Sequence, residues 1–177
     1  MKPLIRYQLI FTVWLTLALT QFACNLGGQS AATGSPPTPS SEPQATLAER
    51  GTPDEAKAML QKAVEHYTAV GPDQALADFT GRVAPFFDRD LYVVCMDSSD
   101  IETANGGFPQ YVGTSADALL DTDGKPLGKA TWEIASTTTV NSINYHWVNP
   151  VSGKTEPKTL FFQKVGADVC GVGVYSP

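Results

Sequence analysis

Two aromatic residues one strand-step apart and a lysine beyond the next loop are the side chains of this chain best suited to form a site. Tyr145 and Trp147 flank His146 in a β-branched and aromatic stretch. That stretch ends in Asn149-Pro150 and Ser152-Gly153, dipeptides that mark loops. Successive strand residues face opposite sides of a sheet, so Tyr145 and Trp147 share a face and His146 takes the other. A partner strand is expected over residues 158–165, then a tight turn at Gly166-Ala167-Asp168, then a last strand ending at Tyr175. Lys158 would open the partner strand near the hairpin base. Two rings, each with one polar atom, and one ammonium would converge there. Such a set suits a small anionic or polar ligand. The competing reading makes the rings plain sheet core and Lys158 an exposed lysine guarding a strand edge.

The remaining reactive residues do not assemble into catalysis. The histidines are His66 and His146, and His146 faces away from the proposed site. A Cys–His pair built from Cys95 or Cys170 would lack a well-placed base. There is no Gly-x-Ser-x-Gly, no His-Glu-x-x-His and no dense carboxylate cluster. Asp88, Asp90, Asp97, Asp100, Asp121 and Asp123 sit mostly at turns, where Asp is favoured for conformational reasons. Asp121-Thr122-Asp123-Gly124 resembles part of a calcium loop but lacks its third acid and closing glutamate, so a solvated turn is expected. Gly106-Gly107 is not followed by Gly-Lys-Ser/Thr, which argues against a phosphate loop. The reading is of a binding protein, not an enzyme, with no cofactor and no metal.

The N-terminal segment points to export. Lys2 and Arg6 precede an apolar run from Leu9 to Leu19, and small Ala23 precedes Cys24, the layout of a signal peptide over residues 1–23. The run is short for a spanning helix. Leu19-Thr20-Gln21-Phe22-Ala23-Cys24 resembles a bacterial lipobox, with Gln21 and Phe22 departing from its usual residues. Lipidation of Cys24 would anchor the chain to a membrane. The competing reading is a plain secretory signal with an incidental cysteine, or an uncleaved anchor. Residues 25–51 are rich in Ser, Thr, Pro and Gly, too poor in apolar surface to offset their ordering entropy. They read as a linker holding a domain off the membrane.

The full chain carries 12 basic and 18 acidic residues, a net charge of −6. Cleavage after Ala23 removes Lys2 and Arg6 and no acid, leaving 10 basic against 18 acidic residues, a net of −8. Nucleic acid and anionic headgroups are therefore poor partners.

Folded structure is expected from Thr52. Thr52-Pro53-Asp54-Glu55 is a capping box with proline at the first helical position. Ala56, Met59, Leu60, Ala63, Val64 and Tyr67 follow on one helical face, and Gly71-Pro72 stops the helix. His66 lies at the edge of that face. A second helix is expected over residues 72–80 with Leu76 and Phe79 inward. A hairpin of residues 91–97 and 101–104 comes next, then a loop over residues 105–113. A weak helix over residues 126–136 follows, with Leu127, Ala130, Thr131 and Ile134 loosely periodic, and then a strand over residues 137–148. Gly171 and Gly173 would leave one face of the last strand bare, inviting a ligand, a neighbouring backbone or a large side chain. The element order fits an α+β domain with one antiparallel sheet.

The pattern Tyr145-x-Trp147-x-Asn149-Pro150-x-x-Gly153-Lys154-x-x-Pro157-Lys158, followed by Lys164-Val165-Gly166 and Gly171-Val172-Gly173-Val174-Tyr175, resembles the end of a single Cache domain. Domains of this family are extracytoplasmic small-molecule sensing modules of bacterial chemoreceptors and sensor kinases. The resemblance spans residues 52–175. It implies a PAS-like fold, with a long N-terminal helix packed along an antiparallel sheet of about five strands. It also implies that the loop Asn105-Gly106-Gly107-Phe108-Pro109-Gln110-Tyr111-Val112-Gly113 closes over the ligand, with Asn105 and Tyr111 supplying hydrogen bonds. In the resembled fold the strands holding Cys95 and Cys170 are neighbours in mid-sheet. Export permits a disulfide between them, and two buried thiols remain the alternative. Ser176 and Pro177 end the chain, so the expectation is a stand-alone domain without an output module. It would bind an organic acid or similar metabolite on the periplasmic or cell-surface side, and a membrane signalling partner would receive any signal. The contrasting expectation is a structural or interaction lipoprotein that keeps the fold without a ligand.

Overall fold

The computed structural model describes residues 50–176. The expected signal peptide, Cys24 and the expected linker up to residue 49 lie outside the described residues. Helix α1 (Pro53–Val70) begins with the expected box: the Thr52 hydroxyl accepts from the Glu55 amide, and the Glu55 carboxylate accepts from the Thr52 amide. Its buried residues are Ala56, Met59, Leu60, Ala63 and Tyr67. Helix α2 (Pro72–Thr80) buries Ala75 and Phe79. His66 joins the two helices, with Nε2 2.8 Å from Asp78 Oδ2 and its ring against Phe86.

Six strands form one antiparallel sheet: β1 (Phe87–Asp88), β2 (Leu91–Asp97), β3 (Glu102–Asn105), β4 (Asn141–Val148), β5 (Thr155–Val165) and β6 (Asp168–Tyr175). The order is β1-β2-β6-β5-β4, and β3 also pairs with β2. Gly166, at φ 56°, and Ala167 make the two-residue turn between β5 and β6, with glycine where the backbone must turn left-handed. Helices α1 and α2 cover one face, over Leu91, Val93, Cys95, Cys170, Val172 and Val174. The other face holds Val94, Met96, Ile143, Tyr145, Trp147, Leu160 and Phe162 under Ala116, Leu127 and Trp132. Among the described residues no helix is long and apolar enough to cross a membrane.

Cys95 and Cys170 are joined by a disulfide at directly opposed positions of β2 and β6, Cα atoms 4.1 Å apart. The bridge lies on the helix-covered face, at most 1% exposed.

Several sequence expectations shift. Strand β5 starts at Thr155, so Lys158 is well inside the ladder and directly opposite Tyr145, not at a hairpin base: pairing with β4 continues through Pro157 and Glu156. Strand β4 starts only at Asn141, because the Ser136 hydroxyl accepts from the amides of Thr138 and Thr139 and turns the chain there. Helix α3 (Gly128–Ile134) is shorter than expected and buries Thr131, while Ile134 is 51% exposed. Strand β1 was not anticipated.

Arg50 and Gly51, assigned by composition to the linker, are sewn into the domain. The Arg50 guanidinium makes a two-pronged contact with Glu156 at 2.7 and 3.0 Å. The Gly51 amide donates to buried Asp90 at 2.6 Å. Asn149 Nδ2 donates to both Asp90 and Glu156, and Ser152 Oγ donates to Glu156. Arg50, followed by burial acting the other way, holds the Glu156 carboxyl below its ordinary range. A depressed carboxyl contributes stability above its unfolded pKa and loses it as pH falls through the folded value. Arg50→Ala is expected to lower the unfolding free energy by about 1–3 kcal/mol at pH 7. Urea titrations should show that difference shrink in acid as Glu156 protonates.

Candidate functional site

The face of the sheet away from α1 and α2 encloses a cavity of about 50 Å³, lined by Tyr92, Glu102, Asn105, Tyr145, Trp147 and Lys158 with an apolar wall that includes Val94, Met96, Leu119, Leu127 and Leu160. Four of the five sequence-predicted ligand residues, Asn105, Tyr145, Trp147 and Lys158, therefore come together. Tyr111 does not line the cavity. It sits in a 3-10 turn (Pro109–Tyr111), and its ring packs 6.1 Å from Trp147 and 5.7 Å from Phe108. It supports the wall from outside.

Lys158 is 3% exposed. Its Nζ donates to the Tyr92 hydroxyl at 2.7 Å and the Tyr175 hydroxyl at 3.2 Å. The two hydroxyls are 3.1 Å apart, and Tyr175 donates onward to the Val148 carbonyl. The amine also lies 4.0 Å from the Tyr92 ring centroid and 4.5 Å from that of Tyr175. An ammonium has three donors, and two are engaged. Among the described residues no carboxylate forms an ion pair with it. Burial pulls the Lys158 amine down to about 7, opposed by the negative charges of Asp90 and Glu102.

The stem of Lys158 fits because residue 173 is glycine. A Cβ at Gly173 would fall within the Lys158 methylenes and 2.9 Å from Nζ, and one at Gly171 would meet Leu160 Cδ1 at 2.9 Å. The bare strip expected on the last strand is thus filled by Lys158 and Leu160. Gly107 plays the same part for the Tyr92 ring.

Three contributors escaped the sequence reading: Tyr92, Tyr175 and Glu102. The first two were legible from alternation, since residues 92, 94 and 96 face opposite to Cys95, and residues 171, 173 and 175 opposite to Cys170. Glu102 was not. Two-residue spacing puts it on the face of Ala104, which is the helix-covered face. The register between β2 and β3 shifts, however: Cys95 pairs with Ala104 and Met96 with Glu102, leaving Thr103 as an extra residue. Such a bulge re-aims side chains. Glu102 turns into the cavity, while Thr103 donates to Asp168 on the other side at 2.6 Å. Asn105 Nδ2 donates to Glu102 Oε2 at 2.9 Å, and Asn105 Oδ1 accepts from the Phe108 amide at 2.7 Å. Asn105 thus orients Glu102 and pins the loop. Arg82 holds the same loop by the carbonyls of Gly106 and Gly107. Burial, more than any other influence, pushes the Glu102 carboxyl up to about 7. Among the described residues the Tyr145 hydroxyl makes no hydrogen bond, and burial raises its pKa.

Outside the cavity, Asp121, Asp123 and His146 bring one ligand atom each within 4.8 Å of the others. Asp121 Oδ1 accepts from the amides of Asp123 and Lys125, and Asp123 Oδ2 lies 2.9 Å from His146 Nδ1. Asp121 therefore organises the turn at 121–125, and His146 lies off the ligand face.

Gly173→Ala is expected to displace the Lys158 amine. Overpacking of this kind destabilises by about 1–3 kcal/mol, which urea unfolding measures. Retained stability together with an undisturbed Lys158 would contradict the close fit.

Residues 42–170 match the family model for single Cache domain 2. No curated protein matches the sequence. Among solved structures, a methyl-accepting chemotaxis protein from Vibrio parahaemolyticus RIMD 2210633 aligns with a TM-score of 0.58 at 20% identity, over 69% of this chain and 86% of that one. A periplasmic sensor domain of a chemotaxis protein aligns with a TM-score of 0.57 at 23% identity, over 76% and 100%. A Cache chemosensory domain solved to explain carboxylic acid recognition aligns with a TM-score of 0.55 at 17% identity, over 70% and 92%. At these identities the likeness concerns the fold. The family match covers well over half of the sequence and agrees with the α+β architecture of its sensor-domain relatives, and on that ground the chain belongs to the single Cache domain 2 family.

Proposed function

We propose that this protein is an exported sensing or binding protein for a small carboxylate, tethered to a membrane through Cys24. The observation that carries the ligand is Lys158: an amine buried in an aromatic cavity, with one donor unengaged and no carboxylate paired to it. A buried cation without an anion is costly, and a ligand carboxylate supplies the missing charge. A structural relative recognises carboxylic acids, which supports the same ligand class. Tyr145 and Trp147 form the wall, and the Tyr145 hydroxyl offers a further hydrogen bond. The tether is supported by the lipobox-like residues before Cys24 and the Ser/Thr/Pro/Gly-rich segment after it.

A thermal-shift screen of small carboxylates against amines and neutral compounds tests the ligand class. Carboxylates should raise the melting temperature with concentration, and uniformly flat responses would favour an interaction protein without a ligand. Lys158→Met should weaken carboxylate binding by about 2 kcal/mol, the scale of a hydrogen bond to a charged group. The pH dependence has a definite sign. Because the empty site loses the Lys158 proton above about 7, calorimetry should show Kd rising up to about tenfold per unit from pH 7 to pH 9, with proton uptake on binding. Cys24→Ala should move the protein from the membrane fraction to the soluble fraction, and unchanged partition would remove the tether.

A further inference from the structure

The cavity has a second polar pole. Lys158 enters from β5, and Glu102 enters from the bulged end of β3 with its Oε2 fixed by Asn105. Among the described residues no hydrogen bond reaches Glu102 Oε1. Most of the remaining lining is apolar or aromatic, with Val94, Met96, Leu160, Tyr145 and Trp147 among it. About 50 Å³ is room for roughly three to five water-sized groups.

We propose that Glu102 sets the specificity of this site, and that the ligand is a two- or three-carbon carboxylate carrying a proton-donating group, hydroxyl or ammonium, on the carbon next to the carboxylate. The inference rests on Lys158 as the carboxylate pole. An unsubstituted acid would pair with Lys158 and leave Glu102 Oε1 facing methyl or methylene without a hydrogen-bond partner, which is unfavourable for an acid in either protonation state. A donor on the adjacent carbon removes that penalty. Sites built around a buried polar group discriminate strongly against ligands lacking its partner. The size limit follows from Leu119, Leu127 and Leu160, which leave no space for a long chain. The bulge supports a dedicated role: without the extra residue at Thr103 the carboxyl would enter the helix-covered core. Burial holds the Glu102 carboxyl near neutrality, so it can accept from an ammonium when ionised or exchange a hydrogen bond with a hydroxyl when protonated.

The test is calorimetry on the purified protein with acetate, glycolate and glycine, and with propionate, lactate and alanine. Wild type should bind at least one substituted acid ten or more times tighter than its parent acid. In Glu102→Leu that ratio should fall to about three or less. Glu102→Gln separates the two donors: it keeps a preference for the hydroxy acid and abolishes one for the amino acid. Acetate and propionate binding wild type as tightly as their substituted forms overturns the proposal, and that comparison needs no variant to fold. A ratio unchanged in Glu102→Leu also overturns it. If none of the six acids binds, the carboxylate reading of Lys158 falls as well; parent acids binding as well as substituted ones defeat only the role of Glu102.

Discussion

A lysine amine held in a cavity between aromatic rings, without a carboxylate beside it, is the constraint that organises this half of the molecule. Desolvating an ammonium is unfavourable by several kcal/mol in order of magnitude, so its surroundings must be built closely. Two tyrosine hydroxyls, from β2 and β6, accept from it. Their rings lie against it at cation–π distance, an arrangement worth more where water is excluded. The strand between Lys158 and Tyr92 has glycine at residue 173, so the stem can cross it. Alanine at 173, phenylalanine at 92 or phenylalanine at 175 would each remove one condition for keeping the amine there.

The opposite face fixes the register that makes this possible. A one-residue slip between strands moves every side chain to the other side. The Cys95–Cys170 bridge joins directly opposed residues of β2 and β6, which forbids a slip between the strands that carry Tyr92 and Tyr175. It closes a separation of 75 residues, and a loop of that length corresponds to about 4 kcal/mol in the chain-entropy account. On the same face Tyr67 donates to Asp168 at 2.5 Å, and Thr103 donates to the other oxygen of that carboxylate. Asp168 thereby ties α1, β6 and the bulge in β3 together, and the bulge is what sends Glu102 the other way. The helix-covered face is thus a frame, and the opposite face carries the polar cavity.

How much of this was legible in the sequence depended on how local the cause was. The capping box at Thr52, the apolar face of α1 and the turn at Gly166 are set by residues within a few positions of each other, and they were readable. Tyr145 with Trp147 followed from alternation, and Lys158 from the partner strand expected after the loop at residues 149–153. Failures came where tertiary contacts overrode local signals. Strand β5 was expected from residue 158, yet it runs through Pro157 back to Thr155. Arg50 and Gly51 looked like linker, yet Glu156 and Asp90, far along the chain, capture them. Glu102 was hidden because a bulge breaks the period-two rule, and nothing in Glu102-Thr103-Ala104-Asn105 announces where the extra residue falls. Tyr111 was placed by its loop, and the 3-10 turn sends its ring behind Trp147.

The captured residues bear on the site through the β4–β5 hairpin. Its far end could fray, since the loop at 149–154 is short of apolar anchors. Two ties prevent this. From the cavity side, Tyr175 donates to the Val148 carbonyl. From the N-terminal side, Arg50 grips Glu156, which also accepts from Asn149 and Ser152. Glu156 lies opposite Trp147, and Lys158, the next residue on the same face of β5, lies opposite Tyr145. Loosening Glu156 would therefore loosen the two rungs of the ladder that carry the wall and the amine. A side chain at the entry to the domain is in this way part of what holds a ligand pole in position, although Arg50 itself does not line the cavity.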